Sequence, residues 1–347
     1  MPTSAVGIDI GSRTITLAEV RVVRGATTIV NFGGVELPRD VVREGEILDV
    51  QAAAAALKEL LGSAAVKQKR VWLGVANQRV VVRQVELPWM PPEELRSSLR
   101  YQVQEHLPIP VEEAELDVHV VGEHATESGE RLQRVLLVAG HRDMVTAHVE
   151  TAQAAGLRPV GVDLNPFASL RAMGDTSPIE AGRQVVIDVG AGVTTIVVHE
   201  AGIPDFVRIL VLGGDDITSA LASGLGTSDE EAERRKRGLG LTGDPSDVAS
   251  RIIQDRADAF VDEIRSSLDY YQAQSGAGRL SSVVLTGGGA LLDGLADRLA
   301  ETLRLPVDVG SVFDRWPVKG TVYGPTDLAR VGPSLATAAG LALGGLS

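Results

Sequence analysis

One short pattern occurs twice in this chain, and it restricts the possible folds more than any other feature. Val6 to Leu17 reads VGIDIGSRTITL, and Val186 to Ile196 reads VIDVGAGVTTI. Each copy is an apolar strand ending in Asp, then Gly and a tight turn, then a second strand rich in Thr, Ile and Val. With their aspartates at 9 and 188, the two hairpins imply two related lobes. The alternative is two unrelated hairpins that share Asp-x-Gly. At 347 residues, 44% of them apolar, the chain is long enough to give each lobe its own core.

Around the hairpins, strand and helix patterns alternate. Strands are predicted near residues 28–37, 70–76, 79–87, 115–122 and 132–140, and helices over Asp49 to Leu61, Pro92 to His106 and Asp143 to Ala155. Arg183 to Leu212 predicts three strands. Asp244-Pro245 reads as a helix start, Asp at the N-cap and Pro at the first helical position, with Val248, Ile252, Val261, Ile264, Leu268 and Tyr271 as the packing stripe that follows. Val283 to Thr286 is a buried strand running into Gly287-Gly288-Gly289, and Ser334 to Leu343 is an apolar helix of small residues. The mixture predicts α/β lobes. Pro88, Pro91, Pro92, Pro108 and Pro110 mark an inserted α+β subdomain. The expected division is 1–180 for the first lobe with 77–150 inserted, 181–330 for the second with about 213–275 as its smaller part, and 331–347 as a helix returning to the first lobe.

Charge and composition exclude several roles. The balance of 33 basic against 46 acidic residues gives a net charge of -13, which repels a phosphate backbone, so no nucleic-acid partner is expected. The chain has no cysteine, which removes disulfides, thiolate catalysis and Cys-based metal sites. The N-terminus, MPTSAVGIDIG, lacks a leader pattern, and no segment approaches the roughly 20 apolar residues that cross a bilayer. The expected location is cytoplasmic, without direct membrane insertion.

The hairpins make chemical sense as a phosphate clamp. Gly11-Ser12-Arg13-Thr14 and Gly190-Ala191-Gly192-Val193-Thr194 can aim successive backbone N–H groups at an anion. Asp9 and Asp188 stand where a carboxylate can hold Mg2+, usually through water. A turn-forming role is the other reading of either Asp alone.

VGIDIGSRT, VIDVGAGVTT and LTGGGALL together resemble the phosphate-1, phosphate-2 and adenosine motifs of the actin, Hsp70 and sugar-kinase ATPase fold, two duplicated RNase H-like domains around a nucleotide cleft. The resemblance covers essentially the whole chain. It implies ATP with Mg2+ between the lobes, the phosphates meeting both turns, and Gly213, Gly214, Asp215, Gly287, Gly288, Gly289 and Leu292 around the rest of the nucleotide. Glu233, Lys236 and Arg237 resemble the Glu-x-x-Lys-Arg element that grips adenine and ribose in Hsp70-like members; as a bare charge run they would be a solvated helix face.

Within that fold the chain resembles the PilM family of type IV pilus assembly. LPWMPPEEL at 87–95, Tyr101 to Glu105, LPIPVEE at 107–113 and VDLNPFASLRA at 162–172 carry the likeness. It implies a cytoplasmic ATP-binding scaffold at the inner face of the cell membrane. The implied partner is the N-terminal cytoplasmic peptide of a PilN-like inner-membrane protein, in a groove near the insertion that Leu107 to Val111 could line. FtsA cell-division proteins share the fold and the insertion, but usually add a C-terminal membrane-binding helix, whereas this sequence ends at Leu346-Ser347. A sugar-kinase-type phosphotransferase is the other alternative, and no polyol-facing base motif supports it.

Two departures bear on turnover. Actin-type turns place a Lys seven residues after the first Asp; Thr16 stands there, and Arg13 is the nearest base. Many PilM relatives carry Glu at the position of Asn165, and an amide cannot act as a general base. Asp9 and Asn165 are thus weak catalytic candidates, and slow or no ATP hydrolysis is expected. Other motifs fail. GLGLTG at 238–243 follows a charged run instead of an apolar strand, so it is not a dinucleotide fingerprint. No P-loop, HExxH or G-x-S-x-G pattern occurs, and His119 and His124 read as solvent-facing strand residues.

Overall fold

The computed structural model describes residues 4–126, 129–176, 182–275, 278–319 and 324–346. The first repeat opens a five-stranded sheet. β1 (Ser4–Ile10) and β2 (Thr14–Val23) form the hairpin, and β3 (Ala26–Glu36) extends it antiparallel. A small ladder of β4 (Val42–Arg43) and β5 (Glu46–Ile47) leads to α1 (Val50–Ser63), whose N-cap Asp49 accepts from the N–H groups of Gln51 and Ala52. β6 (Arg70–Val75) then pairs parallel to β1.

The insertion follows as β7 (Val80–Pro88), α2 (Pro92–Gln102), β8 (Ala114–Ala125) and β9 (Arg131–His141), an antiparallel sheet in the order β7-β9-β8. It has its own core, in which Leu95 and Leu99 of α2 pack on Val85, Leu87, Val135 and Leu137. The helix stops at Gln102, short of the predicted His106, and Gln104–His106 form a single 3-10 turn. α3 (Arg142–Ala154), β10 (Arg158–Leu164) and α4 (Asn165–Met173) return the chain to the first sheet, where β10 lies parallel to β6.

The second repeat runs through β11 (Arg183–Val189), β12 (Thr194–Glu200) and β13 (Ile203–Leu210). Three helices follow, α5 (Gly214–Leu225), α6 (Asp229–Leu239) and α7 (Val248–Ser275), then β14 (Leu280–Thr286), α8 (Leu295–Leu303) and β15 (Val307–Val309). The sheet orders are β10-β6-β1-β2-β3 and β13-β12-β11-β14-β15. Read in one direction from the hairpin, they are the same sheet built twice, with β6 and β10 matched by β14 and β15. The expected break between residues 180 and 181 lies outside the described residues.

Two sequence expectations need correction. α7 begins at Val248, not at Asp244-Pro245. The Asp244 carboxylate accepts from Ser246 N–H and its carbonyl from Asp247 N–H, so the pair makes a turn, and Asp247 performs the capping through Ser250 N–H at 2.9 Å. The packing stripe at the start of α7 is also shifted by one position. Ala249, Ile253 and Ala257 are buried against α5 and α6, while Val248 is 48% exposed; from Val261 through Ile264, Leu268 and Tyr271 the predicted stripe is buried.

After β15 come α9 (Val312–Arg315), α10 (Pro325–Val331) and α11 (Ala336–Gly344). α11 and α4 lie between the two sheets. Ala338, Ala339 and Ala342 share one core with Ala18 and Val20 of the first sheet and Val186 and Val197 of the second. Small side chains are required because the helices nearly touch: a Cβ on Gly340 would overlap the Ala168 carbonyl. Gly340→Val is therefore expected to lower the melting temperature by more than 10 °C or to prevent folding, whereas Gly62→Ala, near the end of α1 with open space around it, should raise stability slightly. Thermal denaturation of the two variants checks both signs.

Candidate phosphate cleft between the hairpins

Strand register places the two aspartates. Asp9 stands opposite Thr16 of β2 and Gly74 of β6; Asp188 stands opposite Thr195 of β12 and Thr286 of β14. Both carboxylates thus sit near the C-terminal ends of central parallel strands, where open α/β sheets bind ligands. The two turns are closed by the same bond, from Gly11 N–H to the Thr14 carbonyl at 3.0 Å and from Gly190 N–H to the Val193 carbonyl at 2.9 Å. One cavity between them is lined by Asp9, Gly11 and Ser12 from one side and by Asp188, Gly190, Ala191 and Gly192 from the other, with Asn165, Thr195 and Thr337.

The carboxylates are under strain in chemical terms. Burial pushes the Asp9 carboxyl up, the charge of Asp188 adds to it, and only the 2.9 Å bond from Asn165 Nδ2 opposes, leaving it at about 7. Burial raises Asp188 too, against a 2.6 Å bond donated by Thr337 Oγ1. Close by, Asn165 Oδ1 and Thr195 Oγ1 are buried with no hydrogen-bond partner. Paired carboxylates and unpartnered oxygens fit a hard cation. Among the described residues no three His, Cys, Asp or Glu cluster to form an all-protein cage, so water or ligand oxygens would have to complete its shell.

The other predicted residues lie outside this wall. Arg13 Nε donates to both carboxylate oxygens of Asp215, at 2.9 and 2.8 Å. Gly213, Gly214 and Asp215 start α5 directly on the second turn, with Gly214 N–H bonded to the Gly190 carbonyl and Asp215 N–H to the Ala191 carbonyl. Lys236 is buried, and its Nζ donates to the Gly214 carbonyl at 2.9 Å and Thr218 Oγ1 at 2.8 Å and pairs with Glu233 Oε2 at 2.6 Å. Its three protons are committed, so it braces α6 against α5. Burial alone would raise Glu233, but Lys236, Thr218 and Arg237 outweigh it and hold the carboxyl down at about 2. Arg237 is largely exposed apart from its bond to Glu233. Gly287, at φ +86°, leads into the 3-10 turn Gly288–Leu291; a Cβ there would run into Val189 and Asp188. Leu292 is half-buried beside α7 and α8.

Strand alternation separates two neighbouring threonines. Thr194 is buried with its hydroxyl donated to the Leu212 carbonyl at 2.8 Å, and its neighbour Thr195, the cross-strand partner of Asp188, faces the cavity instead. Thr14 is exposed and serves the turn through its carbonyl. Thr337 and His148 also line the cavity and carry no motif that would have marked them. His148 is buried, with Nδ1 bonded to the Met144 carbonyl, and burial lowers its pKa. His119 and His124 are exposed on β8.

The chain matches the family described as type IV pilus assembly protein PilM over residues 7–346. It belongs to that family. Its fold is similar to that in the solved PilM-PilN type IV pilus biogenesis complex, at 27% identity and a TM-score of 0.85, covering 99% of this chain and 98% of that one. MreB5 of Spiroplasma citri bound to ADP, at 13% identity, a TM-score of 0.50 and 97% and 94% coverage, shares the fold alone. Cell division protein FtsA of Bacillus subtilis (strain 168) is 35% identical over 104 residues, 30% of this chain and 23% of that protein, so the chain spans less than a quarter of that relative's length. The architecture is the two-lobed actin-like ATPase fold with an inserted α+β subdomain, in a PilM family protein of pilus assembly.

The raised Asp9 pKa gives a signed prediction for nucleotide-free protein. A carboxyl whose folded pKa lies near 7 against an ordinary 3.8 contributes stability while protonated, and that contribution is lost as pH rises through the interval. Asp9→Asn, neutral at every pH, should melt close to wild type below pH 4 and several degrees above it at pH 8. A melting difference that stays constant with pH would remove the buried-pair reading.

Proposed function

We propose that this PilM family chain is a nucleotide-bound scaffold. ATP lies between its lobes, with phosphates at the Gly11 to Thr14 and Gly190 to Thr194 turns and with Mg2+ near Asp9 and Asp188. The observation that carries this is the pair of matched Asp-Gly hairpins whose buried carboxylates face one cavity without a cation of the protein's own. Bound Mg2+ would supply neutralising charge to the phosphate oxygens. The chain's own residues do the rest: Asn165 Nδ2 and Thr337 Oγ1 fix the carboxylates, and the glycines of both turns let backbone N–H groups approach an anion. Gly287 to Gly289, Glu233 and Arg237 take the adenosine end. Turnover is slow, because the side chain bonded to Asp9 is a neutral amide that cannot accept a proton.

The partner reading rests on a second cavity. A groove of about 570 Å3 lies where the insertion meets α3, lined by Arg79, Glu112, Glu113, His141, Arg142, Asp143 and Glu150. Arg79 pairs with Glu46 and Asp143, and Arg142 with Glu115, which leaves an acidic wall suited to a short peptide with a free N-terminal ammonium. The predicted Leu107 to Val111 segment leads into this wall without lining it. We read the occupant as the cytoplasmic end of a PilN-like inner-membrane protein, which would bring the chain to the membrane. Among the described residues no helix is long and apolar enough to cross one. The proposed lobes are 1–180 and 181–330, with 331–347 returning to the first.

Denaturing freshly purified protein and chromatographing the released nucleotide tests the scaffold reading: intact ATP near one per chain is expected, and its complete absence overturns it. Asp188→Ala should abolish Mg-dependent ATP affinity. Glu233→Ala should weaken adenosine more than bare triphosphate, and equal losses would mean that α6 does not face the base.

A further inference from the structure

We infer that Arg13 reads the number of phosphates on the nucleotide, and that Asp215 sets the threshold by competing for the same guanidinium. The inference rests on the nucleotide reading above and concerns the regulation of that site.

Three observations meet here. First, the two hairpin turns abut: a Cβ on Gly192 would come within 2.7 Å of Ser12 Oγ, so the cleft mouth is closed at this point. Second, Arg13 sits in the first turn, yet it faces the other lobe, with Nε shared between both carboxylate oxygens of Asp215 at the start of α5. A further pair of the same polarity, Arg39 with Asp229 at the start of α6, spans the lobes as well. Third, Arg13 is itself a residue of the first turn, inside the loop that the Gly11 N–H to Thr14 carbonyl bond closes.

A carboxylate beside a phosphate-binding turn is a poor phosphate ligand, since like charges repel at short range. Asp215 is instead bonded to a cation, Arg13, and that cation is the one an anionic ligand at the turn would also seek. Arg13 and Asp215 are each about one quarter exposed, so screening by water is partial and the contest has weight. A triphosphate brings enough charge to draw Arg13 away from Asp215; a monophosphate does not. The pair thereby favours the closed mouth when the cleft is empty, and ties its release to the length of the phosphate chain.

The sign of one substitution separates this from a structural role. By calorimetric titration, Asp215→Asn is expected to bind Mg-ATP about tenfold more tightly than wild type, with AMP unchanged. The gain should vanish in Arg13→Gln/Asp215→Asn compared with Arg13→Gln alone. Asp229→Asn, which opens the other pair, should leave the ATP to AMP ratio as it is. Weaker or unchanged ATP binding by Asp215→Asn, an equal gain for AMP, or a gain that survives without Arg13 overturns the inference while leaving the nucleotide reading intact. No nucleotide binding by either wild type or Asp215→Asn overturns both.

Discussion

Two buried carboxylates that line one cavity, with no Lys or Arg among its lining residues, are the condition the rest of the structure has to satisfy. Asp9 and Asp188 are put there by backbone register, each one residue before the end of its strand, and each is held by a single donor, Asn165 for one and Thr337 for the other. Placing like charges together in a low-dielectric site is unfavourable, and Asp9 responds by keeping its proton up to about pH 7. The aliphatic cores on either side must offset that cost. A cation with its anionic ligand would remove it, and occupancy of the cleft would then be linked to stability of the two-lobed form.

The donors come from the elements that join the lobes. Asn165 is the first residue of α4 and Thr337 the second of α11, and these two helices carry the small residues packed between the sheets. Arg171 extends the arrangement, bonding the Gly340 carbonyl and the Asp163 carboxylate, while Arg315 reaches the Ala172 and Gly174 carbonyls at the chain's passage into the second lobe. A change in cleft occupancy would act first on the residues whose helices set the relation of one sheet to the other. The same small-residue packing that lets α4 and α11 approach also fixes where their polar termini point.

How much of this was legible in the sequence follows from how local each determinant is. The hairpins, the matched sheets and the facing aspartates could be read because a period-two strand, an Asp and a glycine turn are all contained in a dozen residues. Which of Thr194 and Thr195 turns its side chain to the cavity depends on register with β11, a pairing that lies outside the motif. Asp244-Pro245 is equally compatible with a helix start and a turn, and the second Asp, at 247, decided between them. Lys236 matched its motif, but its saturation by Gly214, Thr218 and Glu233 depends on how α6 lies on α5. Thr337, His148 and the Arg13–Asp215 pair join residues far apart in the chain, so no local pattern could mark them.

The residues that depart from the hydrolytic pattern point in one direction. Asn165 supplies a donor to Asp9 where a carboxylate would add a third negative charge beside two aspartates whose pKa values burial already raises. Thr16 leaves the first turn without a lysine, and Arg13 is engaged by Asp215 instead of resting in the cavity. If the cleft takes the nucleotide proposed above, each of these residues would withhold a means of cleaving a phosphate bond and keep a means of sensing a charged ligand. The proposed scaffold would then couple its nucleotide to the relation of the two lobes, and through it to the groove beside the insertion.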